Sequence, residues 1–267
     1  MINKGGVFNL LEFENLGRIP NLVHFVTTRK GGVSLPPYGT LDLGLHTADN
    51  PKHVLANRRL LAHETGISED KFLYASQVHS GNVKVIDSAA IESGILTKTP
   101  QTDATITNLP GTCLIVMVAD CVPVILFDPV KKVSAVIHAG WRGTVKHITS
   151  NTVKTMTDRF GCDPADIIAG IGPSIGPCCY EVGEEVRTVV EQSFGTTRDY
   201  LVTKNHSDKP HFDLWYANHK QLTDSGVKPE NIETSELCTR CNSQIFYSSR
   251  ADKGITGRFA AGIFIKA

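Results

Sequence analysis

Cys113-Leu-Ile-Val-Met-Val-Ala-Asp-Cys-Val-Pro-Val-Ile-Leu-Phe-Asp128, and after a short break Val133-Ser-Ala-Val-Ile-His138, decide the fold. These strongly apolar runs, bounded by short breaks, read as strands Cys113–Ala119, Val122–Asp128 and Val133–His138, strand pairs joined by tight turns. Working outward, similar runs predict strands at Val23–Thr28, Phe72–Val78, Val83–Asp87, Ala104–Thr107, Ile167–Ile171, Gln244–Ser248 and Phe259–Ile265. Helical spacing predicts Pro51–Gly66 behind an Asn50 cap, then Thr144–Phe160, Gly183–Phe194 and Phe212–Ser225. No regular βαβ rhythm connects them. The expectation is therefore an α/β (α+β) fold of mixed sheets, with helices on the outer faces.

With 267 residues, 41% of them hydrophobic, the chain is long enough for one large core, and no repeat, linker or low-complexity tract divides it. A single domain over 1–267 is expected. Lys plus Arg and Asp plus Glu are 27 each, so there is no built-in attraction to nucleic acid or to an anionic membrane surface. The N-terminal stretch lacks the pattern of a secretory signal, and no apolar run approaches the ~20 residues of a membrane span. A soluble, cytoplasmic protein with a small-molecule partner follows as the expectation. Seven cysteines, an odd number outside a secreted context, point to reduced thiols or metal ligands, with Cys113 as plain core.

His79, Cys121 and His138 each follow an apolar run, so strand ends could bring two imidazoles and one thiolate to one point. That is a zinc ligand set, and three protein ligands leave the fourth position of the ion open, as in a catalytic site. Taken singly the residues say less: a lone His in a Gly turn is more often a hydrogen-bonded loop residue, and Cys121 could be a buried structural thiol. Asp120 beside Cys121 adds weight, because a carboxylate in an apolar break needs a partner.

His138 opens into Ala-Gly-Trp-Arg142-Gly143, a turn whose glycines and helix start suit an oxyanion, with Arg142 available to fork onto it; a structural salt bridge is the plainer use of Arg142. Arg29, in Thr27-Thr-Arg-Lys-Gly-Gly-Val-Ser34, and Arg258, just before the last apolar run, sit in comparable settings. Cys238-Thr-Arg-Cys241 has the spacing of half a zinc ribbon or a redox pair; with no second such pair in the sequence, a structural or incidental role is expected. Cys178-Cys179 lies in a Pro/Gly loop and reads as pocket wall or cap.

Ser76-Gln-Val-His79, Ala119-Asp-Cys121-Val-Pro, His138-Ala-Gly-Trp-Arg-Gly143 and Thr256-Gly-Arg258 together resemble the laccase-domain family. That family was once named multicopper polyphenol oxidoreductases and is now read as purine nucleoside phosphorylases, some described as peptidoglycan editing factors. Further similar strings are Thr28–Ser34, Leu41-Asp-Leu-Gly44, Asp49-Asn-Pro51, Ile171-Gly-Pro173 and Tyr180-Glu-Val-Gly183. The resemblance implies a layered α/β/β/α sandwich like that of cysteine-hydrolase-type toxins, and zinc at His79, Cys121 and His138. It also implies phosphorolysis of adenosine, inosine and S-methyl-5'-thioadenosine, with hydrolytic deamination of adenosine.

On this reading the ion lowers the pKa of a water toward ~7 for attack at the purine C6, and Asp120 accepts the proton. Arg29, Arg142 and Arg258 are the expected cations around phosphate. An oxidase reading fits poorly: none of the ten histidines forms the His-x-His pairs of a trinuclear copper cluster, so copper-dependent oxidation would be a side activity of a substituted ion. Two rivals remain. Cys121 could be a nucleophile with His138 as its base, in an amidase editing peptidoglycan precursors; or the zinc could merely stabilise a binding protein.

Overall fold

Unbroken apolar runs need cover on both faces, and the architecture supplies it. A computed structural model describes residues 1–3, 9–94, 101–204 and 207–266. The first seven strands are β1 (Ile2–Asn3), β2 (Leu11–Glu12), β3 (Leu22–Val26), β4 (Phe72–Tyr74), β5 (Val83–Val85), β6 (Ala104–Thr107) and β7 (Cys113–Val118). They are followed by β8 (Val122–Asp128), β9 (Val133–Ala139), β10 (Ile168–Ile171), β11 (Leu201–Lys204), β12 (Ser207–Phe212), β13 (Ile232–Thr234) and β14 (Phe259–Ile265). The helices are α1 (Glu14–Gly17), α2 (Pro51–Thr65), α3 (Ser88–Glu92), α4 (Trp141–Val145), α5 (Ile148–Phe160), α6 (Glu184–Phe194) and α7 (Leu214–Asp224).

One sheet has the order β1-β2-β3-β14-β7-β4, the second β13-β10-β8-β9-β6-β5, and β11 pairs with β12 alone. Both large sheets are mixed, with β4 parallel to β7, β5 parallel to β6 and β10 parallel to β13. Alternation along β7 shows how they stack. Cys113, Ile115 and Met117 pack with Leu41, Leu43 and Leu61 on the α2 side. Leu114, Val116 and Val118 meet Ile125, Phe127 and Val136 of the second sheet. On that sheet's far side Val122, Val124 and Leu126 meet Val153 and Met156 of α5 and Leu214 and Leu222 of α7. The layers are thus helix, sheet, sheet, helix, the α/β/β/α sandwich expected, and each fully buried aliphatic side chain contributes about 1.5–3 kcal/mol.

Four expectations need correction. β7 and β8 do not pair: β7 lies between β14 and β4, β8 between β10 and β9, so the chain steps from one sheet to the other at Ala119-Asp120-Cys121. Asp120 makes the step in the left-handed region, φ 87°. Gln244–Ser248 is no strand; the amides of Ile245 and Phe246 both bond the Asn242 carbonyl, a turn that drives Phe246 and Tyr247 into the core between the sheets. The helix expected over Thr144–Phe160 is two helices, broken at His147, whose φ of 58° no α-helix accommodates. β4 also stops short of Val78. Beyond it the Gln77 side-chain amide takes over, bonding both the N–H and the carbonyl of Met117 at 2.8 and 2.7 Å, so the chain stays beside β7 without being a strand.

Candidate metal centre and active-site cleft

The register of β8 on β9 sets Val122 opposite Ala139 and Pro123 opposite His138, which brings Cys121, one residue ahead of β8, to the same sheet end as His138. β6 flanks β9 on its other edge and leaves Asp103 beside His138, whose backbone N–H donates to the Asp103 carbonyl at 2.7 Å. His79 comes from the loop beyond β4, itself in the left-handed region at φ 55°. Only His138 lies within a strand; Cys121 sits at the sheet crossover and His79 on a loop.

Asp103 organises the site. Fully buried, it accepts at Oδ1 from His138 Nδ1 at 2.8 Å and from the His79 N–H at 3.0 Å. Its Oδ2 accepts from the Ser80 N–H and hydroxyl at 2.6 and 2.7 Å and from the Val78 N–H at 3.3 Å. One carboxylate therefore orients the His138 ring and folds the loop that delivers His79. Engaging Nδ1 leaves Nε2 of His138 as the atom that could bind a metal, as in carboxylate–histidine–metal arrangements. Burial raises the Asp103 pKa, but the hydrogen bonds from His138 and Ser80 outweigh it and hold the carboxyl well below the usual carboxylate range. Asp103 was not singled out in the sequence; its signal was an acidic side chain at the entrance to an apolar strand, where a carboxylate needs a partner.

The ligand atoms of His79, Cys121 and His138 lie within 4.8 Å of one another, and the two imidazole rings meet edge to face at 4.8 Å. Cys121 Sγ is 3.9 Å from His79 Nε2, close to the ~3.6 Å that ordinary Zn–S and Zn–N bonds give across a tetrahedral angle. The donor set fits: one soft sulfur and two imidazoles could hold zinc, or copper in its place. Gly140 sits against it. Its φ of −68° and ψ of 169° suit any residue, yet an added Cβ would lie 2.9 Å from Cys121 Sγ and 3.2 Å from His79 Cδ2. Gly140→Ala is therefore expected to displace two ligands and weaken metal affinity about tenfold or more, as outer-shell changes do. Chelator competition measures this, and an unchanged affinity would show that the cluster does not hold the metal.

The three side chains form part of the wall of a cleft of about 680 Å³, within the range of small-molecule sites. His46, Ser76, Gln77 and Met117 line it from the first sheet's side, and Ile175, Tyr180, Ser249, Arg250, Lys253 and Arg258 complete the lining. Of the three arginines expected around an anion, only Arg258 is here. Its N–H is held by Asp42 at 2.8 Å and its guanidinium by the carbonyls of Thr256 and Gly257. Arg29 lines a separate, smaller cleft, where it bonds the Ser243 and Gly39 carbonyls and lies 3.8 Å from Asp252. Arg142 is exposed and stacks on Trp141 at 4.3 Å, outside the cleft lining. Arg250 and Lys253 were not singled out in the sequence because turn cations carry no periodic signal.

Asp120 does line the cleft, but both oxygens are engaged, Oδ1 by the Thr239 hydroxyl at 2.6 Å and Oδ2 by the Arg250 N–H at 2.7 Å. The Asp120 carbonyl accepts from Ile175 at 2.9 Å. The residue ties the loop after β10 and two points of the β13–β14 connection to the sheet crossover.

A two-sheet sandwich with a His/Cys/His cluster set in the wall of a cleft defines a layered α/β protein with a candidate metal centre. The chain belongs to the multi-copper polyphenol oxidoreductase laccase family, whose model matches residues 23–266. It is 34% identical to a purine nucleoside phosphorylase of Bacteroides thetaiotaomicron over 96% of each chain. It is also 34% identical to adenosine deaminase RL5 from an unknown prokaryotic organism, over 96% of this chain and 100% of that one. The crystal structure of the Bacillus licheniformis hypothetical protein YfiH superposes with a TM-score of 0.89 at 32% identity, covering 98% of this chain and 97% of that one. Among the described residues, only two groups of potential ligands gather closely enough for a metal ion, this cluster and a set of four cysteines, and neither is a histidine-rich copper centre.

Proposed function

We propose that the protein is a zinc-dependent purine nucleoside phosphorylase acting on adenosine, inosine and S-methyl-5'-thioadenosine, with adenosine deaminase activity. The observation that carries this reading is a soft three-ligand cluster in the same cleft as Arg250, Lys253 and Arg258. The names of the two relatives supply the substrate class. Zinc held by His79, Cys121 and His138 would supply Lewis acidity in the cleft wall. Phosphate would lie against the three cations, which aim one oxygen at the ribose as positive charge grows there and the N-glycosidic bond breaks. Tyr180 lines the same cleft and carries the Arg250 guanidinium over its ring at 5.3 Å. The two hydrogen bonds that Asp120 accepts favour a positioning role over the proton acceptance expected from sequence. Seven free thiols accord with a reducing compartment, the cytoplasm; no described helix is long and apolar enough to cross a membrane.

The test is chromatography of adenosine products from zinc-loaded and chelated protein, each with and without phosphate. Adenine and ribose 1-phosphate are expected only with phosphate, and inosine under both conditions. Chelation is expected to suppress both routes; full turnover without metal would end the zinc reading. Oxidation of phenols, if copper is loaded instead, is expected as a minor activity.

A second reading rests on the same pair of residues. In the metal-free protein burial pushes the Cys121 thiol up, but His138 beside it more than offsets this and brings it down to about 6. Such a thiolate could act as a nucleophile on an amide in a peptidoglycan precursor. Ultraviolet titration of chelated protein is expected to show thiolate appearing with a midpoint near pH 6; an ordinary cysteine midpoint would remove this support. Cleavage of a muramyl peptide by chelated protein, and its inhibition by zinc, would favour the amidase over the phosphorylase.

A further inference from the structure

The half zinc ribbon at Cys238 and Cys241 finds its missing half in space. The loop after β10 carries Cys178 and Cys179 against the loop after β13, and the four sulfurs lie within 4.8 Å of one another. Cys241 Sγ is 3.6 Å from Cys178 Sγ and 3.5 Å from Cys179 Sγ. A tetrahedron of sulfurs on ordinary Zn–S bonds has edges of ~3.8 Å, so the cluster is already near the required size. Hydrogen bonding is also that of a thiolate knuckle. The Gly176 N–H donates to Cys238 Sγ at 3.4 Å, the Cys241 amide is a second backbone donor to it, and Asn242 closes the turn on the Cys238 carbonyl through both its N–H and its side chain.

We infer that Cys178, Cys179, Cys238 and Cys241 hold a second zinc ion, in a closed four-thiolate site with a structural role. Four sulfurs fill a tetrahedral ion and leave no position for substrate, and an all-thiolate set selects zinc over hard cations. The two loops it joins also build the cleft. They are stitched by the Thr239 N–H to the Ser174 carbonyl at 3.0 Å; Ile175 and Tyr180 line the cleft from one, and Thr239 of the other bonds Asp120. The ion thus clamps two loops that help build the cleft holding the His/Cys/His cluster. This inference does not depend on the purine reading, because its readouts are ion count and coordination shell.

Protein loaded with zinc alone and freed of excess ion should carry two ions per chain. Cys121→Ala should keep one, and its X-ray absorption should show a shell of sulfur only, at ~2.3 Å. Cys241→Ser should also keep one, in a shell of mixed nitrogen and sulfur. If Cys241→Ser fails to fold, alkylation of the Cys121→Ala protein still decides: the exposed Cys178 and Cys241 should be protected by zinc and become reactive on chelation. A Cys121→Ala protein that binds no zinc, a shell containing nitrogen or oxygen in that variant, or disulfides among these four cysteines in freshly purified protein would overturn the inference.

Discussion

Cys121→Ala is expected to lower phosphorolysis and deamination by more than about 100-fold while leaving a folded protein. The lower bound comes from outer partners of metal ligands, whose loss alone costs about 10- to 100-fold in affinity or activity; removing the only sulfur ligand must cost more. The fold should survive because Cys121 is half-buried at a sheet crossover, packed at the margin of the inter-sheet core, and truncating one thiol there costs about 1 kcal/mol. Three measurements on one preparation make the result decisive: initial rates with adenosine, bound zinc, and the thermal midpoint by circular dichroism. Loss of stability on substitution, with no turnover in either the wild type or the variant, would leave a zinc-stabilised binding protein as the better account. The response to added zinc, rather than Cys121→Ser, separates the metal reading from the nucleophile reading. Both readings lose activity in the serine variant, but only the nucleophile reading has the wild-type enzyme inhibited by added zinc.

The parts legible in the sequence were those that periodicity and strand ends encode. The central strands were placed to within a residue because Leu114, Val116 and Val118 alternate with Cys113, Ile115 and Met117 between two apolar layers, so every position had to be apolar. Pairing is another matter. A turn as short as Ala119–Cys121 suggests a hairpin, and nothing local reveals that Asp120 turns the chain into a second sheet. The gathering of His79, Cys121 and His138 at one point was visible because all three follow apolar runs. Asp103 was not, because its task is to accept hydrogen bonds from residues 23 to 35 positions away, which no spacing rule records. The arginines failed for a similar reason: glycine turns beside Arg29 and Arg142 look alike in sequence to the turn beside Arg258, and only the fold decides which faces the cleft. The four cysteines were split by chain distance, so Cys238 and Cys241 looked like half a site until two loops were brought together.

Asp103→Asn is the second large effect, and it acts through geometry. The wild-type carboxylate faces donors on all sides: His138 Nδ1, the N–H groups of Val78, His79 and Ser80, and the Ser80 hydroxyl. An asparagine of the same shape must point its NH2 at one set of them. Turned toward Ser80, it leaves buried donors unpaired at about 1–3 kcal/mol. Turned toward His138, it forces the tautomer that carries its proton on Nε2 and blocks the ligand atom. Metal affinity and turnover are each expected to fall about 10- to 100-fold. A pH series on metal-free protein tests the cause. The folded Asp103 pKa is depressed, so its contribution is present above the unfolded value of ~3.9 and is lost as pH falls below it. Burial pushes His138 down, but the Cys121 thiolate and Asp103 more than restore it, to about 9, so its contribution is present below ~6.5 and lost as pH rises through about 9. Urea midpoints of the wild type should therefore fall on both limbs, and the stability gap to Asp103→Asn should narrow progressively as pH falls below about 4. If the two proteins lose stability in parallel on the acid side, Asp103 is not the carboxylate that holds the site together.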